Sequence, residues 1–393
     1  MTPEWRRCSV RDLLSSVTAG VSVNGQSRPR EAGEIGVLKI SAVTYGIFRP
    51  EENKAVLPTE LERARENPRA GCILVSRANT ADLVGATVYV AKDHPDLVLP
   101  DKLWQLFPDT ALADGRWLQA FLSMPSMRAR ISEAATGTSG SMKNIGREQF
   151  LALDISVPPL PEQRKIAAIL SSVDDAIEAS HAVIDQLQVV KKAMMAELLT
   201  KGLPGRHKHF KQTEIGAVPD EWRMGVVSDF LLLQRGFDLT EKAAVPGSIP
   251  VVSSGGISYY HNQASAKPPG VVTGRKGRLG KVFLLEQPFW PHDTTLWVCD
   301  FKGNSPEYVV WYLRSLHLEQ FDSATAVPTL NRNIVHPLPA AFPPVEEQMR
   351  IALILSAVES REASEVETLR GHERLKSALM SVLLTGEVRV KRE

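Results

Sequence analysis

The chain has 393 residues, 43% of them hydrophobic, and its 46 Lys and Arg stand against 45 Asp and Glu for a formal net charge of +1. That length supports two or three separate cores, and the near-neutral total excludes a protein that holds nucleic acid by bulk charge, leaving DNA binding to local basic faces and to partners. Cys8, Cys72 and Cys299 lie far apart without a CxxC pair, and no apolar run reaches 18 residues; structural zinc, a membrane span and export are therefore not expected, and a reducing cytoplasm is.

The chain opens on Pro3-Glu4-Trp5-Arg6, followed by Val10-Arg11-Asp12-Leu13-Leu14. Short β-like runs at 36–41, 71–76 and 85–90 alternate with helical patches at 60–66 and 116–122, a mixture that reads as α+β. After Pro158-Pro159, residues 160–202 place apolar side chains at Ile166, Ile169, Leu170, Val173, Ile177, Ile184, Leu187, Val190, Met194 and Leu198. Steps of three and four make one long helix with a single stripe, which needs a partner helix to cover it. Residues 203–218, with Arg206-His207-Lys208-His209 and Lys211, read as a solvated connector whose charge could touch a phosphate. His207 and His209 have no third ligand nearby, so metal is not expected.

The opening phrase then returns as Glu221-Trp222-Arg223 and Val227-Ser228-Asp229-Phe230-Leu231, and a second helix of the same kind follows Pro343-Pro344. Moving the first helix forward by 185 puts Gln163 on Gln348, Ile166 on Ile351 and Leu198-Leu199-Thr200 on Leu383-Leu384-Thr385. The second stripe is Ile351, Ile354, Leu355, Val358, Val366, Leu369, Leu375, Leu379 and Leu383. An internal repeat organises the whole chain: a mixed domain at 1–159, a helix at 160–202, a linker at 203–218, a second mixed domain at 219–344, and a distal helix and tail at 345–393. Within the domains, Val271-Val272-Thr273-Gly274-Arg275 parallels Ile73-Leu74-Val75-Ser76-Arg77, and Arg332-Asn333-Ile334 falls on Lys143-Asn144-Ile145. Between these anchors the halves differ strongly, as two modules with different targets should.

The PPLPEQ and PPVEEQ helix starts, the LLT helix ends, the doubled EWR phrase and the strand ending in Arg resemble the specificity subunit of type I restriction–modification systems over essentially the whole chain. The resemblance implies two target-recognition domains, each reading half of a split double-stranded DNA site. It further implies that they are separated by two long antiparallel coiled-coil helices in a pseudo-twofold arrangement. The helices would set the spacer and dock two methyltransferase subunits, here through Gln163, Ile166, Ile169, Leu170, Gln348, Ile351, Ile354 and Leu355. A restriction and translocase subunit would join, with S-adenosylmethionine, ATP and Mg on the partners and no cofactor on this chain. The setting it implies is cytoplasmic defence.

From the residues themselves, the strongest basic cluster is at 274–281, with Arg275, Lys276, Arg278 and Lys281 among glycines that would let the backbone approach DNA. Its first-half counterpart is Arg77 with Asn79. A second set is Thr136, Ser139, Ser141, Lys143 and Asn144, matched by Thr325, Thr329, Asn331, Arg332 and Asn333; short polar side chains beside Lys or Arg suit phosphate or groove contacts, or the capping of turns. Tyr260, in a Gly-Ser-rich stretch, could reach a base or pack on a strand edge. Gly274 and Gly280 are wrongly spaced for a phosphate loop, and no methyl-transfer or nuclease signature is present, so a non-catalytic subunit is expected. The competing readings are a coiled-coil scaffold that does not read DNA and a stand-alone DNA-modifying enzyme.

Overall fold

A computed structural model of the protein describes residues 5–137, 142–322 and 327–390. It is α+β and divides into two compact units, residues 1–180 with 368–393 and residues 181–367, so that each long helix contributes one part to each unit.

In the first unit a four-stranded antiparallel sheet has the order Leu14–Ala19, Leu103–Pro108, Ile73–Ser76, Thr87–Tyr89. A three-stranded sheet sets Gly36–Leu38 between Asn53–Ala55, antiparallel, and Leu97–Val98, parallel. Arg6–Ser9 pairs with Asp154–Val157, so the two ends of the mixed segment meet. The second unit repeats this topology. Its large sheet runs Leu232–Arg235, Thr295–Asp300, Gly270–Gly274, Val282–Leu285; its small one sets Ile249–Ser253 between Gly256–His261 and Trp290–Pro291; and Arg223–Val226 pairs with Pro339–Phe342. The duplication read from short motifs therefore extends to every strand of both principal sheets.

The long helices are Leu160–Lys201 and Val345–Leu383, of 42 and 39 residues, roughly 60 Å each at 1.5 Å per residue. Gly202 and Gly386, both at φ +77°, come after their ends in the left-handed conformation that glycine adopts without a Cβ penalty. In each unit the start of one helix packs with the end of the other. Ile166, Ala167 and Leu170 share the first unit's core with Leu383, Leu384, Trp117 and Phe150. Ile351, Ala352 and Leu355 share the second unit's core with Leu198, Leu199, Tyr308 and Phe342. The leucines of the two LLT motifs are thus core residues of the mixed domains as well as of the helix pair. The expected stripe fails at one place: Leu375 is 48% exposed, on a turn where the helix presents that face to water.

The helix starts are fixed by buried polar side chains. Gln163 accepts from the Asp114 N–H (2.8 Å) and donates to the carbonyls of Leu112 (3.0 Å) and Pro158 (2.9 Å). Gln348 accepts from the Ser305 N–H (2.9 Å) and donates to Asn304 Oδ1 (2.7 Å) and the Pro343 carbonyl (2.8 Å). Asp114 and Ser305 are the N-caps of Gly115–Leu122 and Pro306–Ser315, so each glutamine binds a long helix to the cap of a domain helix.

The preceding glutamates clamp the segments just beyond the end of the opposite helix. Both Glu162 oxygens accept from Arg389, each at 2.8 Å. Glu347 Oε1 meets His207 Nε2 at 2.8 Å and accepts the Leu203 N–H at 3.0 Å, with Arg206 3.4 Å from Oε2. The connector is therefore not simply solvated: the His207 side chain is 2% exposed, and Phe210–Thr213 and Gly216–Pro219 form a hairpin beyond it. Burial of the completely enclosed Glu347 is tolerable only because it is paired and hydrogen-bonded, and that requirement draws the histidine in.

Hydrogen bonding to Arg389, opposed by burial, holds the Glu162 carboxyl below its ordinary range. A depressed folded-state value means that the stabilisation is complete above the unfolded-state value of about 4.3 and is lost as pH falls through the lowered one. Glu162→Gln should therefore destabilise the first unit at neutral pH by on the order of 1–3 kcal/mol and flatten its loss of stability on acidification below about pH 4. Urea midpoints measured at pH 7 and pH 3.5 check this; an equal difference between variant and parent at both pH values would refute it.

Candidate nucleic-acid interface

The edge of the large sheet in the second unit carries a polar cleft of about 590 Å³, lined by Gln234, Arg235, Asp238, Arg275, Asn331 and Arg332 among others. Arg275 stands at the end of the strand Gly270–Gly274, with its carbonyl accepting from the Leu330 N–H (2.8 Å) and its Nη1 donating to the Asp293 carbonyl (2.9 Å). That backbone bond brings Thr329, Asn331 and Arg332 to the strand end. Asn331 caps the short helix Arg332–Val335 by accepting from the Asn333 N–H at 2.9 Å. Arg332 Nη1 lies 3.5 Å from the Leu233 carbonyl.

The first unit has the same construction. The Arg77 carbonyl accepts from the Ile145 N–H (3.0 Å) and its Nε donates to the Asp101 carbonyl (2.8 Å). Ala78–Asn79 pairs with Lys143–Asn144, and Thr136 bridges Asn144. Lys143 Nζ donates to the Ser132 carbonyl at 2.9 Å, and the Asn79 side chain accepts from the Thr80 N–H, so both serve their own backbone in part. Ser139, Ser141 and Thr325 lie outside the described residues.

These bonds correct the register of the repeat. Ile145 matches Leu330, so Asn144 matches Thr329, the cap Gly146 matches Asn331, and Arg147 matches Arg332. Asn333 has no counterpart in Asn144; the likeness of Lys-Asn-Ile to Arg-Asn-Ile outweighed a four-residue difference in loop length. Arg147, missed in the sequence, donates to the Val17 carbonyl (2.8 Å) as Arg332 approaches that of Leu233. Arg235 was missed as well: it ends the strand Leu232–Arg235 and faces Asp238 (3.1 Å) and Asp293 (3.2 Å).

Lys276, Arg278 and Lys281 are exposed on the turn after Arg275, and Tyr260 is 52% exposed on the strand Gly256–His261. The glycines of that turn do something other than expected. Gly274 is buried, and a Cβ on it would meet the Arg278 carbonyl oxygen at 1.9 Å; Gly277 (φ +82°) and Gly280 (φ +79°) hold left-handed positions. They close the turn on itself and so aim its basic side chains outward.

The residues expected to meet a partner turn the other way. Gln163, Ile166, Leu170, Gln348, Ile351 and Leu355 are buried, and Ile169 and Ile354 pack half-buried on the same cores. The apolar positions that the helices do expose include Val189, Met349 and Leu353, at 63%, 60% and 71%. Among the described residues, no group of three His, Cys, Asp or Glu is placed to hold a metal ion, and no helix is long and apolar enough to cross a membrane.

Residues 26–189 match the family model of the type I restriction modification DNA specificity domain. A chain of Methanocaldococcus jannaschii, provisionally named the MjaX type I restriction enzyme specificity subunit, is 25% identical over 413 residues, 99% of this chain and 94% of that one. The MjaVIII specificity subunit of the same organism is 24% identical over 70% of this chain and 71% of its own. In fold, the chain matches the crystal structure of an S subunit from M. genitalium with a TM-score of 0.65 at 14% identity, covering 98% and 99% of the two chains. It also matches a chain from a structure of complex assembly and conformational transition in the type I R-M system (TM-score 0.57, 16% identity, 99% of each).

Since the basic turn depends on the missing Cβ of Gly274, Gly274→Ala should prevent it from closing. The expected cost is about 1–3 kcal/mol, read as a lowered denaturation midpoint with increased hydrogen exchange at residues 275–281. A variant as stable and as protected as the parent would show that the turn is not held in this way.

Proposed function

We propose that this chain, a type I restriction–modification specificity subunit in sequence and fold, is the DNA-reading component of its complex, with each unit recognising one half of a split site. The observation that carries the reading is the repeated strand-end construction: the same strand-end arginine and the same following arginine recur on two copies of one topology, while the side chains around them differ. Shared basic groups suit the phosphate backbone, which every site presents, and divergent ones suit base edges. Exposed Lys276, Arg278 and Lys281 extend the basic surface in the second unit.

The two long helices set the spacer in this reading. Each is continuous through both units, so the unread gap follows from helix length. Two methyltransferase subunits dock on the helix faces, which is consistent with a repeated feature: each unit has an apolar groove at the end of one long helix. One, of about 440 Å³, includes Lys191, Met195 and Thr200; the other, of about 580 Å³, includes Lys376, Met380 and Thr385, each 185 positions later. Equivalent grooves suit two copies of one partner. The restriction subunit, and the S-adenosylmethionine, ATP and Mg of the assembled system, belong to the partners; this chain supplies recognition and no catalysis.

Co-expression with the cognate methyltransferase, followed by mapping of methylated bases across a genome, tests the reading. A split motif with two short halves and a fixed unread gap is expected, whereas a continuous motif, or an assembled complex that methylates nothing, would overturn it. Inserting four residues after Ser180, matched by four before Thr368, should lengthen the helices by about 6 Å and widen the gap by roughly two base pairs with both halves unchanged. An unchanged gap in an active insertion complex would remove the helices as the ruler.

A further inference from the structure

The two units can be compared position by position, because the same hydrogen bonds fix the register in each. Arg147 and Arg332 reach the Val17 and Leu233 carbonyls, which equates these residues. Three positions on, Gly20 and Gly236 each leave no room for a Cβ, with the carbonyl oxygens of Leu99 and His292 at 2.0 and 2.1 Å. Between them, Ala19 in the first unit stands where Arg235 stands in the second.

We propose, resting on the two-unit reading, that Arg235 is a specificity-determining residue of the second unit and that its guanidinium reads a guanine edge. Arg275 and Arg332 recur in the other unit as Arg77 and Arg147, so they cannot tell one half-site from the other and act as positioning groups. Arg235 lines the same cleft as these two and has no counterpart among them.

The ion pairs around Arg235 support this role. In the first unit the equivalent aspartate, Asp101, lies 3.5 Å from Nη2 of the strand-end Arg77. In the second, the Asp293 carboxylate faces Arg235 Nη2 (3.2 Å) and His292 Nδ1 (3.1 Å), while Arg275 takes only the Asp293 carbonyl. Asp238 meets the same Nη2 at 3.1 and 3.3 Å. Among the described residues the carboxylates therefore approach one corner of the guanidinium, which remains 48% exposed. A fork held at one corner keeps donors for a bidentate acceptor and has little rotamer freedom left to lose, the condition under which arginine reads guanine O6 and N7. The two aspartates also disfavour a phosphate at this point, since a third anion would be placed beside two.

The test compares the full chain, Arg235→Lys and Arg235→Ala, each assembled with the methyltransferase subunits, by mapping methylated bases across one genome. The expected result for both variants is an intact first half-site and spacer with relaxed preference at one position of the second half-site, discrimination there falling about 10- to 100-fold. Arg235→Lys keeps the charge and loses the fork, so a native motif from the lysine variant would overturn the proposal. So would a native motif methylated uniformly more weakly by both variants, which is the signature of a phosphate contact. Should Arg235→Ala fail to assemble, the lysine variant still decides. A parental complex without any split motif would instead refute the two-unit reading itself, and this proposal with it.

Discussion

The structure depends on a single polar arrangement made twice: a buried Gln and a buried Glu side by side at the start of each long helix. A glutamine in a core must satisfy an acceptor and two donors, and leaving any unpaired costs about as much as a core methylene or more. Gln163 and Gln348 meet that demand with the cap region of a domain helix and the carbonyl of a proline just ahead of the long helix. The neighbouring Glu162 and Glu347 reach instead to basic residues beyond the end of the antiparallel helix. One turn of helix therefore fixes where the rod leaves the domain and where the opposite strand of the rod ends. Apolar packing alone would hold these elements together without specifying the angle or the register.

Much of the fold was legible in the sequence because its strongest signals are long-period ones. A stripe sustained over some forty residues, Pro pairs ahead of it and glycine after it identify a helix whatever the tertiary context, and duplication of the whole pattern identifies the repeat. The role of the motif residues was less legible. Gln163 and Ile166 stand out as repeated, and repetition does not say whether a side chain faces the core or a partner; burial shows that it is the core. Leu375 fits the stripe by counting and is exposed in fact, since periodicity marks a face of the helix and does not say what covers each turn of it.

The site divides in the same way. Arg275 and Arg77 were found from strand-like runs ending in arginine, and Asn331 and Arg332 from polar residues in a turn. Their meeting in one cleft rests on the Leu330–Arg275 and Ile145–Arg77 backbone bonds, which link segments far apart in the chain. Arg235 carried no local signal. It is one arginine at the end of a four-residue strand, and its environment combines the nearby Asp238 with Asp293, which lies 58 positions later in the chain. The repeat would have shown it, but only with the register that the hydrogen bonds supply, since the Lys143–Ile145 likeness points to a different one.

A repeated scaffold lets one architecture present two unlike sets of side chains. Backbone bonds do not depend on side-chain identity, so the same strand-end construction is made in both units from equivalent carbonyl and amide pairs while the side chains around it change. The residues that cannot change are those whose absence would leave a buried group unpaired: the helix-start glutamines, the glutamates with their basic partners, and the strand-end arginines bound to carbonyls. Those that can change project from the rim, as Ala19, Arg235 and Lys276 do. Diversity is thereby placed at positions where substitution costs little in folding, so the rim of one unit can be altered without disturbing the long helices.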